Sequence, residues 1–292
     1  MRRLLFPLLA LLLAVPLAAQ DVPASESLLI HFLDVGQGDA ILIRRGGIGV
    51  MVDAGRGDDI VLWLEQLGID SLAAAIGSHN HDDHIGGMDA VLADLPVGAY
   101  YYNGRAPGNR NAEAVEDLLR EEGIPAPPPP WAPIRLGDVT ITVFPSRLRG
   151  AEVSENNSSL GVLVERGSFR ALLTGDSEID ELNAWMAAGD IPDVDVLKAA
   201  HHGARDAVTP GWIQCTRPEV VVISAGAGNS YGHPHEAALR YYRTGRRRVL
   251  RTDLDGTVTI VVDRAGGYEI TTSGPTPRYP RPGSQSPPCP PC

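Results

Sequence analysis

Histidine and aspartate side chains crowd into one short stretch of the chain, SHNHDDHIGG at residues 78–87. Three of the eight histidines fall there, at His79, His81 and His84, and Asp83 directly precedes the last of them. Imidazole nitrogens and carboxylate oxygens are natural ligands of a divalent transition metal such as zinc or manganese. Because side chains alternate along an extended loop, His79 and His81 point the same way and can hold one ion, while Asp83 and His84 can face a second. A polar surface loop is the alternative.

Four more histidines form two close pairs, His201 with His202 and His233 with His235. Each histidine group follows an apolar run that reads as a strand, and the ends of strands in layered α/β proteins converge on one edge where sites form. We therefore expect these seven histidines to build one site. His31 stands apart inside a strand pattern and is interpreted as a packed core histidine. The three apolar runs are residues 72–76, 194–200 and 220–224.

The elements that must position these groups are predicted from apolar periodicity and from glycine and proline breaks. The histidine-rich loop is expected to lie between a strand and a helix, and the segment 125–133, with its four consecutive prolines, is expected to be a stiff connector. The predicted elements are three strands within 28–52, a helix at 58–67, a helix at 88–95, a helix at 112–122 and a strand at 139–144.

Several segments together carry a resemblance to a known family. The stretch at 78–87 fits the H-x-H-x-D-H signature of the metallo-β-lactamase superfamily, and other segments resemble more narrowly the metallo-hydrolase domain of ComEC-type competence proteins. The resemblance covers roughly residues 28–272, without the membrane segments of those proteins, so the chain is not expected to be a DNA channel itself. The accompanying segments are FLDVGQGDAILI (32–43), MVDAG (51–55), NNSSLGVLV (156–164), LLTGD (172–176), LKAAHHG (197–203) and NSYGHPH (229–235).

The resemblance implies a four-layer αββα sandwich of mixed α+β and α/β class in a single domain, with metals at one edge. It implies one or two divalent ions, zinc or manganese, and members with two ions use a bridging water to hydrolyse esters, amides or phosphodiesters. Asp83 is expected to orient that water as well as to bind metal. Asp176 is expected to bridge the ions, although it can also cap the helix predicted at 177–187. The implied ligands are His79, His81, Asp83, His84, Asp176 and His202.

The adjacent residues His201 and His202 have diverging side chains, so both are not expected to bind the same ion. We favour His202 as the ligand and His201 as a substrate-side or proton-transfer group. His233 is expected to face the substrate, and His235 to begin the following helix. Asp53 matches the superfamily aspartate that orients a ligand histidine or the metal loop by hydrogen bonding.

Two short aspartate-bearing turns leave alternatives open, since Asp34 and Asp39 can contact the site or stabilise their own turns. The segment 155–159 departs from the family pattern, because it lacks the histidine ligand that many members supply there. Asn157 or Ser158 can complete the site through water or by binding a substrate oxygen. Without that histidine, occupancy by two metals is less secure and the site more open.

Lys198, the single lysine of the chain, lies three residues before His201. It can offset phosphate charge near the metals, or it can be an ordinary surface lysine at a strand end. The tyrosine-rich segment 100–111 likewise allows a substrate-contacting loop or an edge strand followed by a plain loop.

The formal net charge of −11 argues against general nucleic-acid affinity, because such binding rests on neutralising phosphates. One basic cluster, comprising Arg246, Arg247, Arg248 and Arg251, can track a phosphate backbone or can simply charge a strand edge. The leading hypothesis is a secreted metal-dependent phosphodiesterase or nuclease, for which Lys198, His201 and His233 would steady the phosphate and protonate the leaving oxygen. The alternatives are a hydrolase of a small ester, lactone or phosphoester, and a secreted metal-binding module without catalysis.

The chain ends have distinct compositions. Residues 1–20 read as a signal peptide, with an uncleaved anchor as the alternative. The expected boundaries are a linker at 21–27, the hydrolase domain at 28–272 and a disordered proline-rich tail at 273–292, within which Cys289 and Cys292 can pair. Cys215 has no clear partner. We expect a secreted or periplasmic protein without stable membrane association.

Overall fold

The computed structural model describes residues 26–274. The signal peptide expected at 1–20, most of the linker and nearly all of the tail lie outside the described residues. Within 26–274 no helix combines the length and the apolar character needed to cross a membrane.

Within the described residues, fourteen strands form two sheets, and most of the predicted strands are present. Alternating or continuous apolar residues fill these strands, which is the pattern expected of sheets covered on both faces. In chain order the strands are β1 (Leu28–Phe32), β2 (Ala40–Arg45), β3 (Ile48–Ala54), β4 (Ser71–Ile76), β5 (Tyr100–Tyr101), β6 (Ile134–Leu136), β7 (Val139–Phe144), β8 (Gly161–Arg166), β9 (Phe169–Leu173), β10 (Val196–Lys198), β11 (Val220–Ile223), β12 (Arg248–Arg251), β13 (Val258–Val262) and β14 (Tyr268–Thr272).

Eight α-helices of the described residues connect these strands, and the five that were predicted begin within two residues of the expected positions. In the longest, the Asn109 side chain caps the first turn by accepting a hydrogen bond from the amide of Ala112 at 2.9 Å. The helices are α1 (Ile60–Gln66), α2 (Asp82–Ile85), α3 (Met88–Asp94), α4 (Arg110–Glu121), α5 (Ile179–Ala188), α6 (Pro210–Thr216), α7 (Glu236–Tyr242) and α8 (Thr252–Asp255).

Each sheet has seven strands. The first has the order β14-β13-β1-β2-β3-β4-β5 and the second the order β12-β11-β10-β9-β8-β7-β6. Both sheets are mixed: β3, β4 and β5 run parallel in the first, and β9 to β12 run parallel in the second. Carboxyl ends of neighbouring parallel strands lie at one edge of a sheet, so each sheet offers one edge at which several chain segments emerge together.

Three apolar cores separate four layers, which confirms the expected αββα sandwich. The inner faces of both sheets pack on each other, as shown by Ile30 and Val52 in the same buried cluster as Val162 and Val222. A second core lies between the outer face of the second sheet and helices α5, α6 and α7. A third lies between the outer face of the first sheet and helices α1, α3 and α4. Burial on both faces holds the strand ends, and hence the site, in fixed positions.

His31 lies within β1 and is 5% exposed, as expected of a core residue. Its Nδ1 is 2.9 Å from the hydroxyl of Thr259 on the neighbouring strand β13. Burial, followed by the charge of Arg44, lowers the pKa of His31 to about 4. This histidine is therefore neutral at neutral pH and belongs to the sheet rather than to the histidine cluster.

Candidate metal centre and its cleft

Asp53, at the end of β3, fixes the shape of the histidine-rich loop. Its carboxylate accepts hydrogen bonds from the amide of Ser78 at 2.7 Å and from the hydroxyl of Ser78 at 2.8 Å. The same carboxylate lies 2.8 Å from Nδ1 of His84. Because one ring nitrogen of His84 is engaged by Asp53, the other, Nε2, is left to face the centre of the site. Asp53 thus has the orienting position expected from the sequence.

The turn before β2 packs against the same loop from another side. The amide of Asp39 donates a hydrogen bond to the carbonyl of Asp83 at 3.0 Å. Gly38 has φ +135°, and a Cβ there would lie 2.2 Å from that carbonyl oxygen. Only glycine permits this approach. The close packing places the buried Asp39 carboxylate beside His84 and His202. Of the two alternatives for Asp39, contact with the site is therefore the one observed.

The second sheet contributes Asp176 after β9 and His202 after β10. The two carboxylate oxygens of Asp176 face different histidines: Oδ1 is 3.2 Å from Nε2 of His84, and Oδ2 is 3.4 Å from Nε2 of His202. Nδ1 of His202 lies 3.0 Å from the carbonyl of Ser224, which can only accept a hydrogen bond, so Nδ1 carries the proton. His202, like His84, therefore presents an unprotonated Nε2 to the site when the ring is neutral.

Backbone strain is concentrated at these residues. Among the described non-glycine residues, left-handed backbone occurs at Asp53 (φ 56°), His201 (φ 47°), His202 (φ 53°) and Arg217 (φ 43°), and three of these four belong to the site. Such conformations cost of order 1–3 kcal/mol each and cluster at functional sites. The left-handed turn separates the adjacent histidines: His202 is buried at 1% exposure, whereas His201 is partly exposed.

Buried polar atoms without hydrogen-bond partners converge here, and they test whether the residues suit a cation. Within residues 26–274 these atoms include Nε2 of His84, Nε2 of His202 and Oδ1 of Asp176. An unsatisfied buried polar atom costs about 1–3 kcal/mol, so such a convergence calls for a ligand. The donor set of imidazole nitrogens and carboxylate oxygens suits zinc or manganese. Four groups of three residues have possible ligand atoms within 4.8 Å of one another: His79, His84 and Asp176; Asp83, His84 and His202; Asp39, Asp53 and His84; and Asp39, Asp176 and His202.

The pKa values of His84 and His202 show that the surrounding carboxylates favour positive charge at the centre of the site. Burial opposes charge on His84, but Asp176 and Asp53 outweigh it and raise the pKa of His84 to about 10. Burial likewise opposes charge on His202, yet Asp176 and Asp39 raise its pKa well above its ordinary value. Protons on these histidines balance the carboxylates, and a metal ion that took their place would release them.

His79 and His81 form the outer part of the cluster. Nε2 of His79 lies 2.9 Å from Nδ1 of His81, so the two imidazoles converge as the alternation of side chains predicted. His79 is buried, and His81 is exposed at the cleft. Burial, followed by the charge of His84, lowers the pKa of His79 well below its ordinary value. A neutral imidazole is the form that binds metal.

The cluster forms the floor of a cleft of about 300 Å³. His201 and His233 line it, as expected for groups that face a substrate, and their rings are 5.3 Å apart. Burial, followed by the charges of His202 and His201, lowers the pKa of His233 to about 4. Five residues that the sequence analysis did not single out for the cleft also line it: Gln37, Arg56, Asp82, Asn156 and Tyr231.

A family model described as the metallo-beta-lactamase superfamily matches residues 33–227, two-thirds of the chain. The chain belongs to the metallo-beta-lactamase superfamily. It is 30% identical over 270 residues to ComE operon protein 3 of Bacillus subtilis, covering 82% of this chain and 34% of that protein. A shorter match of 74 residues to ribonuclease Z of Saccharolobus solfataricus is 35% identical and covers 23% of this chain and 25% of that one. The chain therefore spans about a third or less of these relatives.

Among solved structures, the metallo-beta-lactamase fold protein YhfI of Bacillus subtilis aligns with a TM-score of 0.52 and 14% identity. The alignment covers 84% of this chain and 99% of that one. At this identity the likeness concerns the fold alone. Together with the family match and the ComE-type relative, it confirms the metal-dependent hydrolase fold of the superfamily, resembling the ComEC-type members, with a possible metal site in this chain.

Lys198 differs from both sequence interpretations. Its side chain is fully buried behind the cluster, so it is neither a surface lysine nor a group that can touch a substrate in the cleft. The ammonium forms an ion pair with Asp39 and donates a hydrogen bond to the carbonyl of Gly175 at 3.0 Å. Burial opposes its charge, but Asp39 and Asp176 raise the pKa of Lys198, so the ammonium stays charged. Lys198 therefore provides a fixed internal cation beneath the candidate metal site.

Three residues considered for the site do not line its cleft, and for Asp34 the turn-stabilising alternative is the one observed. Asp34 accepts a hydrogen bond from the amide of Gly36 at 3.4 Å and so stabilises its own turn. The Asn157 amide pairs with Glu178 at 3.0 Å, and the Ser158 hydroxyl donates to the carbonyl of Glu155. Both side chains are committed within their segment, and neither lines the cleft. Their neighbour Asn156 does line it.

The tyrosine-rich segment 100–111 also stays outside the cleft. It begins as the edge strand β5, and its Asn103 and Arg105 are tied to Glu155 at 3.0 Å and 2.9 Å. Together with α4, the segment lines a separate cavity of about 380 Å³. The edge-strand interpretation is therefore the better one. His235 is the residue before α7, as expected, and its Nδ1 accepts a hydrogen bond from the amide of Arg205 at 3.2 Å.

Proposed function

We propose that this superfamily member is an exported metal-dependent phosphodiesterase that uses zinc or manganese, with nucleic acid as one candidate substrate. The observation that carries the proposal is the position of Asp176. Its two oxygens face one histidine from each half of the fold, His84 and His202, at 3.2 Å and 3.4 Å, on the floor of an open cleft. This is the arrangement in which a carboxylate can bridge two ions beside a substrate.

The proposed roles follow from exposure and contacts. When bound, a divalent ion supplies Lewis-acid polarisation and lowers the pKa of water. His79, His81, His84 and His202 would hold the ions together with the two aspartates, Asp83 and Asp176. Asp83, which is partly exposed at the cleft, would also orient the attacking water. His201 and His233, which line the cleft without being fully buried, would contact the phosphoryl group and transfer a proton to the leaving oxygen.

The match to a ribonuclease supports a phosphodiester substrate, with nucleic acid as one candidate. Export is proposed from residues 1–20, and fractionation of cells that express the whole chain tests it. Protein retained in the cytosolic fraction with residues 1–20 intact would contradict export.

Replacement of Asp83 or Asp176 by alanine tests the activity. Both variants should lose hydrolysis of bis-nitrophenyl phosphate and DNA while retaining the far-ultraviolet circular dichroism of the wild type. Asp34→Ala is the matched control. It removes a carboxylate that stabilises only its own turn. This variant should therefore keep its activity. Full activity in Asp176→Ala would refute the proposal. Stoichiometric metal without turnover on any ester would instead favour a binding module.

A hydrolase of a small ester, lactone or phosphoester is the second candidate, and two observations favour it over a nuclease. The chain has a net charge of −11, and the basic run at Arg246, Arg247 and Arg248 precedes or begins β12. Since β12 is parallel to β11, that run lies at the opposite end of the strands from the cleft. A salt titration of DNA binding separates the candidates. A steep loss of affinity with salt supports the nuclease, whereas an absence of binding together with lactone or ester turnover supports the small-substrate enzyme.

A further inference from the structure

The cleft has an acidic lining that an anionic substrate must overcome. Asp82, Asp83 and Asp176 all line it. Of the described side chains that form its walls, Arg56 alone carries a permanent positive charge, since Lys198 is buried behind the cluster. Arg56 is therefore the one permanently charged side chain of these described walls that can attract a phosphate without help from a metal ion.

Arg56 is held loosely by its neighbours. Its Nε is 3.4 Å from Asp82 and its Nη2 is 3.9 Å from Asp83, and 44% of its side chain is exposed. These contacts are longer than the charge-assisted hydrogen bonds of a committed ion pair. Exposed pairs of this kind contribute little to stability. The guanidinium is therefore available to a ligand, at little cost to the fold.

Tyr231 meets Arg56 from the opposite wall of the cleft. The Nη2 of Arg56 donates to the Tyr231 hydroxyl at 3.5 Å, although the two residues are 175 positions apart in the chain. The Tyr231 ring stacks on His233 with a centroid distance of 5.7 Å and an interplanar angle of 22°. The loop that carries both rings is fastened by Asn229, whose side chain bonds the backbone of Gly226 and both the amide and the carbonyl of His233. Tyr231 is thus positioned although it is 53% exposed.

We propose that Arg56 and Tyr231 together bind a phosphoryl group of the substrate at the mouth of the cleft. The planar guanidinium matches two oxygens of a phosphate, and the phenolic hydroxyl can donate to a third. The proposal deepens the proposed function and rests on it, because it assigns the substrate to the anionic phosphoesters rather than to neutral esters or lactones.

The test uses the whole metal-loaded protein and inorganic phosphate as the probe. Isothermal titration calorimetry measures phosphate binding to the wild type, Arg56→Ala, Arg56→Lys and Tyr231→Phe, each with its metal content determined. Arg56→Ala should weaken phosphate binding by about 10-fold or more, as expected for the loss of a charge-assisted bond, with Arg56→Lys and Tyr231→Phe in between. Where phosphodiester turnover is present, Arg56→Ala should raise KM with little change in kcat.

Arg243→Ala is the matched control. Arg243 is 54% exposed and lies 3.9 Å from Glu236, outside the cleft, so it resembles Arg56 in exposure and in pairing. It should bind phosphate within about 2-fold of the wild type, because a loose exposed pair carries little energy.

Two results would overturn the proposal. One is wild-type phosphate affinity in metal-loaded Arg56→Ala. The other is a loss of metal or of thermal stability in Arg56→Ala that accounts for its whole effect, which would show that Arg56 only braces Asp82 and Asp83. Failure of the proposed function is distinguishable, because it would appear as a wild type that hydrolyses no phosphoester. The phosphate titration does not depend on turnover and would still show whether Arg56 binds the anion.

Discussion

The two sheets supply the candidate site in different ways. The first sheet delivers most of its groups in one short loop, from His79 to His84, and braces that loop with Asp53, a carboxylate on the adjacent strand. The second sheet delivers single residues from separate strands, and it braces His202 with a backbone carbonyl at 3.0 Å. A compact loop carries its own signature in the sequence, whereas residues distributed over three strands are brought together only by the fold.

The carboxylates at the site-forming edges of the two sheets are also stabilised in different ways. In the first, Asp53 hydrogen-bonds both Ser78 and His84. In the second, the buried ammonium of Lys198 lies 3.8 Å from Asp176 and pairs with Asp39, which the first sheet supplies. The second edge therefore contributes a fixed internal cation that also serves the first, whereas the histidine-rich loop of the first is braced by hydrogen bonds. Substitutions on either side can separate these two modes of support.

The largest effect is expected from Lys198→Met. Removing one member of a buried ion pair leaves the other charge uncompensated, which costs about 3–5 kcal/mol. The free energy of unfolding of chelator-treated protein, measured by urea denaturation, should fall by that amount. Lys198→Met combined with Asp39→Asn should recover much of the loss, because neither charge is then left alone. A double variant no more stable than the single one would contradict the pairing.

A smaller effect is expected from Asp53→Asn, which weakens the brace on the histidine-rich loop. Loss of a hydrogen-bonding partner behind a metal ligand typically costs about 10- to 100-fold in metal affinity. Competition with a chelator of known affinity measures the change. Asp34→Asn is the matched comparison, and its affinity should match the wild type because its carboxylate serves only its own turn. Equal losses in the two variants would show that the first edge needs no specific brace.

The smallest effect is expected at the far end of the second sheet. Replacing Arg246, Arg247 and Arg248 together by glutamine should change kcat/KM for a small phosphodiester by less than about 2-fold, because exposed charges remote from a site are screened. The measurement is steady-state hydrolysis at 0.15 M salt, close to physiological ionic strength. A large loss confined to DNA substrates would instead show that this run contacts a long strand.

Much of the site could be predicted from its local pattern. The convergence of His79 and His81 and the contrast between buried His202 and cleft-facing His201 agree with expectations drawn from residue type and spacing. The position of Asp53 agrees with what the family resemblance implied. The structure shows where these residues lie, and metal binding by them stays a prediction. The strand and helix positions were also accessible, because apolar periodicity is a local property.

The remaining features depend on contacts between segments far apart in the chain. Nothing near Lys198 in sequence reveals that Asp39, 159 positions earlier, would receive its ammonium. Asn157 and Ser158 were expected at the cleft, but a one-residue difference in a tight turn directs Asn156 there instead. Arg56 lacks any local motif, and its relevance appears only when Tyr231 meets it across the cleft.

Asp176 has a consequence for the cooperativity of the whole molecule. It lies between a histidine of each sheet, and elsewhere the sheets meet chiefly through apolar side chains. A cation held at that junction would act as a cross-link between the two halves of the sandwich, and its binding free energy would count toward the folding of both. Metal supply would then set the lifetime of the folded protein as well as its activity.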